Sequence, residues 1–220
     1  MLKAIVFDYN GTLVDDLHLH VEAYYQSGRR MGLDVARAEI ERHISQPPSK
    51  KRLLYYGAIS DAKWQEMTAL RKRLYLELAG EREALLFPDT ADALSALAPR
   101  FVLGVLSNTF RDLFERVFPR ELSGLLAASL FFDEVPEPKP SPAPLLTLLG
   151  RLGVEPRACG YVGDALEDIQ MARAAGARAF AVATGTCPPA ALSAAGAEWV
   201  GGSLSALAAH LRAVSPEQTA

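Results

Sequence analysis

Short apolar runs that each end at a polar or small residue set the main constraint on the fold. None of these runs alternates between apolar and polar residues, as a half-exposed strand does, so each is typical of a buried parallel strand. They lie at residues 4–7, 101–106, 130–132, 160–162 and 179–183. Helix-like stretches between them lie at residues 90–97, 143–152 and 167–175. The alternation predicts an α/β fold with a Rossmann-like parallel sheet core and helices on both faces.

One long helical interruption separates the first predicted strand from the second. Residues 15–87 have helical periodicity almost throughout, and glycines or a proline pair mark the breaks between helices. We therefore predict an inserted all-helical cap subdomain at residues 15–87 and a core made of residues 1–14 and 88–213. The two chain crossings between these parts are expected to act as a hinge. Residues 214–220 are polar and are expected to form a flexible tail.

Composition narrows the possible partners and compartments. The chain has 220 residues, a net charge of −3 and 50% hydrophobic residues, which excludes an intrinsically disordered protein. Basic runs such as residues 50–52 are only three residues long, so we expect neither a nucleic-acid partner nor a membrane partner. Two cysteines and an N-terminal apolar run too short for a signal peptide favour a cytoplasmic protein. We expect a monomer or a homodimer.

Polar side chains follow four of the five predicted strands. Ligands of open parallel sheets bind outside the carboxyl ends of the strands, so these groups are expected to converge on one crevice. Carboxylates, a lysine and a hydroxyl in one crevice indicate a divalent cation such as Mg²⁺ that faces an anion. The groups are Asp8, Ser107 with Asn108, Lys139 in the loop after the third run, and Asp164 with Asp168 one helical turn later.

Four segments resemble the four motifs of the haloacid dehalogenase superfamily. Residues 8–13 resemble its first motif, Asp-x-Asp-Gly-Thr-Leu, and Ser107 after an apolar run resembles the second. Lys139 between two prolines resembles the third motif, and residues 163–168 resemble the fourth. The four occur in the order of the family over roughly residues 4–200, and the helical insert lies where the phosphoglycolate phosphatase and β-phosphoglucomutase-like members place their cap.

The resemblance implies a Mg²⁺-dependent hydrolase of a small phosphorylated metabolite. Asp8 is then the nucleophile that forms an aspartyl-phosphate, which water hydrolyses. Mg²⁺ is then bound by Asp8, Asp164, Asp168 and the main-chain carbonyl of Asn10. The phosphate is then held by Ser107, Lys139 and the backbone amides of Gly11 and Asn108. For Glu167, next to these acids, the alternative is a solvent-facing position.

The chain departs from the family pattern at residue 10. The phosphatases of the family have an aspartate there, which protonates the leaving oxygen and later deprotonates water, whereas this chain has Asn10. An amide has no proton to transfer near neutral pH, and loss of such help costs about 10²- to 10⁴-fold in rate. Three explanations stay open: a substitution made to trap a complex, a slow native enzyme, and a protein that kept phosphate binding without catalysis.

Two histidines on the first predicted cap helix are candidates for a substitute proton donor. His20 resembles a histidine that sugar-phosphate mutases and related members place on this helix, and His18 lies two residues before it. The alternative is that both are ordinary residues of the helix surface.

The cap is expected to select the substrate, since the core motifs recognise only phosphate. Arg52 and Lys50 follow the proline pair and are candidates to bind a second anionic group, with solvated positions as the alternative. Two other functions remain open beside hydrolysis. One is a sugar phosphomutase of the same family, and the other is a catalytically silent phosphate-binding or regulatory protein.

Overall fold

Six parallel strands form one sheet in the computed structural model of the protein, and the strand at the centre is the first in the chain. The structure describes residues 1–44, 46, 48–80 and 85–214. The strands are β1 (Ala4–Phe7), β2 (Val102–Ser107), β3 (Leu126–Phe131), β4 (Cys159–Gly163), β5 (Arg178–Val182) and β6 (Trp199–Gly201). Their order in the sheet is β3-β2-β1-β4-β5-β6. This arrangement confirms the predicted Rossmann-like α/β core.

Helices connect the strands and cover both faces of the sheet. In the described part of the chain between β1 and β2, the helices are α1 (Leu17–Arg30), α2 (Arg37–Arg42), α3 (Pro48–Tyr56) and α4 (Asp61–Ala79). The others are α5 (Thr90–Leu97), α6 (Arg111–Val117), α7 (Arg120–Ser123), α8 (Ala143–Leu152), α9 (Leu166–Ala174), α10 (Pro189–Ala194) and α11 (Leu204–Val214). We refer to α1–α4 as the helical block.

Alternate residues of the buried strands pack on opposite faces of the sheet. In β1, Ile5 and Phe7 join one apolar cluster, which also contains residues of α5, α6 and α11. Val6 joins the cluster on the other face, with residues of α8 and α9. Because side chains in a strand have a period of two, a run that is apolar throughout is buried on both sides.

The helical block has an apolar cluster of its own and also packs against the core. Val21, Tyr24, Ile40, Tyr55 and Met67 are among the buried residues of this separate cluster. α1 and α4 contribute further apolar residues to the main core cluster, which fixes the block over the sheet. No helix of the described chain is long and apolar enough to cross a membrane.

Differences from the predicted elements occur mainly at the sheet edges. The third run predicted only the last residues of β3, because residues 126–129 are leucine, two alanines and a serine and are at most partly buried. β6 is an edge strand of three partly buried residues and carries no strong signal. The predicted tail lies outside the described residues, apart from Val214, which ends α11.

Candidate active site

Two carboxylates and a lysine are joined by ion pairs at the carboxyl ends of the central strands. Asp8 directly follows β1, and its Oδ2 lies 2.8 Å from Lys139 Nζ. The same ammonium lies 2.7 Å from Oδ1 of Asp168, which is in the first turn of α9. Burial lowers the pKa of Lys139, but the charges of Asp168 and Asp8 raise it by more, so the net shift is upward. Lys139 is therefore a fixed positive charge beside the carboxylate of Asp8.

A third carboxylate, Asp164, fits into a space between two loops that contain glycine. Its Oδ1 accepts a hydrogen bond of 2.7 Å from Thr12 Oγ1. A Cβ atom on Gly185 would lie 1.8 Å from Asp164 Oδ2, and a Cβ on Gly11 would lie 2.6 Å from the same oxygen. Gly11 also has a φ of +76°, which few other residues adopt. Both glycines are thus required for the observed position of this carboxylate.

The three aspartates together fit a hard divalent cation. Asp8, Asp164 and Asp168 each offer an oxygen, and these oxygens lie within 4.8 Å of one another. Burial, followed by the charges of Asp168 and Asp8, raises the pKa of Asp164 well above its usual value. Burial also raises the pKa of Asp168 to about 6, against the effect of Lys139. A cation among these oxygens would offset the repulsion, and carboxylate oxygens are ligands that Mg²⁺ prefers.

The residues predicted to hold the phosphate lie at the same edge, but their contacts differ from the prediction. Ser107 ends β2, is buried, and lines the cavity next to Asp8. Asn108 exchanges two hydrogen bonds with the backbone of Lys139, through its Oδ1 at 3.1 Å and its Nδ2 at 3.4 Å. The Gly11 amide donates to the Val14 carbonyl at 2.8 Å, so in this structure it is not available to a phosphate.

Asn10 lies in a polar network with three residues from the helical block and its entry. Its Nδ2 donates a hydrogen bond of 2.7 Å to Oδ2 of Asp16 and lies 3.1 Å from Nε2 of His20. Tyr75 donates to the same Asp16 oxygen at 2.6 Å, and its ring stacks on that of His20. His20 lines the cavity, whereas His18 is exposed.

The helical block closes a cavity of about 100 Å³ above these groups and adds three cations to its wall. Lys72 is paired with Asp112 at 2.8 Å, and the other two cations are Lys51 and Arg71. Arg71 is only 6% exposed, and its guanidinium lies 4.2 Å from the centre of the Tyr24 ring. Burial, followed by the charge of Arg71, lowers the pKa of Lys51 to about 7. Neither cation is in an ion pair with a carboxylate of the described residues.

The neighbouring basic residues do not occupy this wall. Arg52 donates a hydrogen bond of 2.6 Å to the exposed Asp61 and another to the Ile59 carbonyl, and Lys50 is exposed. The prediction that these two residues reach a second anionic group is therefore not supported by their positions. The alternative of a solvent-facing Glu167 is wrong, since this residue is 9% exposed and accepts a hydrogen bond of 3.0 Å from Gln46.

Four residues of the site were missed by sequence reasoning. The sequence around Asp16 indicates only the beginning of a helix. Gly185 follows a predicted strand, and no motif surrounds it. Lys51 and Arg71 each lie in a run of three basic residues, at 50–52 and 71–73. Only Lys51 has an indirect signal in the sequence, because it lies between the two predicted candidates Lys50 and Arg52.

Residues 2–176 match the model of the haloacid dehalogenase-like hydrolases. The chain belongs to this family, which confirms the resemblance found in the four motifs.

Individual relatives indicate a more specific class. Phosphoglycolate phosphatase from Synechococcus elongatus is 32% identical over 204 residues, which cover 90% of this chain and 92% of that protein. CbbY from Rhodobacter capsulatus is 27% identical over 189 residues, which cover 80% and 83%. The fold is similar to that of CbbY from Rhodobacter sphaeroides, with a TM-score of 0.78 and 23% identity over 93% of this chain and 95% of that one. That structure is of a variant with asparagine in place of an aspartate, in complex with xylulose 1,5-bisphosphate. The chain is thus a hydrolase whose named relatives indicate phosphatase activity.

Proposed function

We propose that the protein is a Mg²⁺-dependent phosphomonoester hydrolase that acts on a small phosphorylated metabolite through an aspartyl-phosphate on Asp8. The observation that carries this proposal is the position of the Asp8 carboxylate, 2.8 Å from Lys139 Nζ and within 4.8 Å of oxygens of Asp164 and Asp168. A carboxylate so placed has a cation on one side and a site for a divalent cation on the other. These are the conditions under which it can attack an anionic phosphoryl group.

The reaction would take place in two displacements at phosphorus. An Asp8 carboxylate oxygen forms a bond to phosphorus while the bond from phosphorus to the substrate oxygen breaks, and that oxygen takes up a proton as the alcohol leaves. Water then attacks the aspartyl-phosphate, loses a proton, and releases inorganic phosphate with Asp8 regenerated. Lys139 and Ser107 hold phosphoryl oxygens in both steps. Mg²⁺, held by Asp8, Asp164, Asp168 and the main-chain carbonyl of Asn10, would supply the charge that offsets repulsion between carboxylate and phosphate.

Asn10 makes the proton transfer slow in this proposal. Its amide donates to Asp16 and has no proton to give to a leaving alkoxide. We therefore expect turnover about 10²- to 10⁴-fold lower than in an enzyme whose carboxyl group at this position can transfer the proton. Substrates with activated leaving groups, which need no acid in the first step, are expected to be affected least.

The substrate class follows from the charges of the cavity. Lys51 and Arg71 line it on the helical-block side, without a carboxylate partner among the described residues. A buried cation such as Arg71 is costly unless an anion pairs with it, so we infer that the substrate carries a second anionic group besides its phosphate. Phosphoglycolate and a sugar bisphosphate, the compounds in the names of the relatives, both have such a group. The helical block would then act as a cap that selects the substrate.

A burst experiment tests the phosphatase proposal. The protein is mixed with p-nitrophenyl phosphate and Mg²⁺, and samples are quenched in acid. We expect a burst of nitrophenol close to one equivalent, slow turnover after it, and phosphate bound to Asp8 in peptide mass spectra. The Asp8→Asn variant is the control and should give no burst. Absence of a burst and of turnover in the unmodified protein would contradict the proposal and favour the silent phosphate-binding protein, the second candidate that Asn10 supports.

The phosphomutase alternative makes a different prediction. A mutase returns the phosphoryl group to a sugar phosphate, so it would need a bisphosphate to reload Asp8. Release of inorganic phosphate from a panel of phosphorylated metabolites, without any bisphosphate present, would favour hydrolysis. Sedimentation of the same samples would distinguish the two expected states, a monomer and a homodimer.

A further inference from the structure

A buried carboxylate occupies the space beside the side chain of Asn10. Asp16 has no exposed surface, and its Oδ2 accepts hydrogen bonds from Asn10 Nδ2 at 2.7 Å and from Tyr75 at 2.6 Å. Its Oδ1 is buried without a hydrogen-bond partner among the described residues. The carboxylate therefore depends on these two donors, together with His20 Nε2 at 3.3 Å, for its stabilisation.

Helix capping does not explain this carboxylate. Asp16 is the residue at which α1 begins, where an aspartate side chain usually accepts a hydrogen bond from a backbone N–H of the first turn. No such bond is present here. The side chain is instead directed to Asn10, whose backbone belongs to the loop after β1. Asp16 thus connects the helical block to the site rather than to its own helix.

We propose that Asn10 and Asp16 form a matched pair in which Asp16 positions the Asn10 side chain, so that this chain requires an amide at position 10. At a separation of 2.7 Å one partner must donate and the other accept. An aspartate at position 10 would place two carboxylate oxygens in contact in a partly buried site. Among the described residues no lysine or arginine pairs with Asp16, and His20, which lies beside both residues, is a cation only when protonated. Asn10 is therefore the residue that this network favours, and a single change back to the aspartate of the family does not restore the site.

The test compares Asn10→Asp, Asp16→Asn and the double variant that exchanges the two residues. Asp15→Asn is the control, because Asp15 is an exposed neighbour outside the network. Thermal unfolding of all four variants is measured at pH 8. We expect Asn10→Asp to lower the melting temperature by about 5 °C, and the exchange variant to recover most of that loss. The control should change it by less than about 1 °C.

A kinetic comparison adds a result that a purely structural role does not give. The turnover of 2-glycerol phosphate, which has a poor leaving group, is measured with Mg²⁺ beside that of p-nitrophenyl phosphate. We expect the exchange variant to increase turnover of the glycerol ester at least about tenfold, and Asn10→Asp alone to gain less than about threefold. The increase should be smaller for p-nitrophenyl phosphate.

Two outcomes would overturn the matched pair. One is an Asn10→Asp variant that equals the exchange variant in both melting temperature and turnover. The other is an exchange variant that is no more stable than Asn10→Asp alone, and this comparison remains valid if the single variant is largely unfolded. The kinetic arm rests on the proposed function, whereas the thermal arm does not. Absence of activity in all variants, together with thermal recovery, would therefore contradict the phosphatase proposal and leave the pair supported.

Discussion

Gly185→Ala is expected to weaken metal binding, although this residue offers no ligand. The added Cβ would lie 1.8 Å from Asp164 Oδ2, and real Cβ contacts are essentially never shorter than 3.0 Å, so one of the two groups must move by more than an ångström. The loop of Gly185 is held in place, since Thr184 Oγ1 donates a hydrogen bond of 2.6 Å to the Gly11 carbonyl. We therefore expect the Asp164 carboxylate to move.

The size of the effect follows from the narrow geometry of Mg²⁺. This ion requires ligands close to 2.0–2.1 Å in an octahedral arrangement, so a shift of that size removes Asp164 from its set. We expect a 10- to 100-fold weaker Kd for Mg²⁺, equivalent to about 1.4–2.7 kcal/mol. Isothermal titration calorimetry measures this directly. The melting temperature with and without Mg²⁺ gives an independent value, because a bound ion stabilises the folded state.

Gly202→Ala is the matched control, because a Cβ on Gly202 would meet no atom within 4 Å. It should bind Mg²⁺ like the unmodified protein. A Gly185→Ala protein whose Kd stays within about threefold of that control would refute the reasoning. Such a result would mean either that the loop yields instead of the carboxylate or that Asp164 is not a ligand.

Three further predictions concern the cations of the cavity. The pKa of Lys51 is lowered to about 7, so the Lys51 side chain is charged below this pH. We therefore expect kcat/KM for a substrate with a second anionic group to fall as the pH rises through 7. Lys51→Met should lower kcat/KM at pH 6 and remove this dependence. Arg71→Met should raise KM for phosphoglycolate about 10- to 100-fold and leave KM for p-nitrophenyl phosphate nearly unchanged. Equal effects on the two KM values would contradict a second anion site. Lys139→Met should lower the free energy of unfolding, measured in urea without metal, by about 3–5 kcal/mol. The reason is that Asp8 and Asp168 would then be buried beside each other without a cation. A loss below about 1 kcal/mol would refute this prediction.

The core of the site was predictable because parallel strands expose their carboxyl ends at one edge. Phe7 of β1 pairs with Val105 of β2 and with Val162 of β4, so the residues that follow these three strands must lie close together. A run of apolar residues predicts a buried strand, and the first polar residue after the run predicts where the strand ends. The meeting of Asp8 and Asp164 could thus be derived without any knowledge of the helices.

The wall formed by the helical block was not predictable in the same way. Successive residues of an α-helix point about 100° apart, so an error of one residue in helix phase exchanges a cavity residue for a solvated one. Arg52 and Lys51 differ by that single step, and only Lys51 lines the cavity. The phase depends on how α3 packs on Tyr24 and its neighbours, which is a tertiary contact. Sequence periodicity cannot resolve it in a helix that carries three basic residues in a row.

The charges of the cavity separate into a negative floor and a positive wall. The floor consists of three carboxylates and Lys139 at the strand ends, and we expect it to bind an anion only when a divalent cation is present. The wall has Lys51 and Arg71 without carboxylate partners among the described residues. Removal of the metal should therefore weaken the binding of a simple phosphate more than that of a small dicarboxylate. Both affinities can be measured by calorimetry with and without EDTA. If EDTA weakened both ligands by the same factor, the two ends of the cavity would not be independent, and the inferred second anionic group would lose its structural basis.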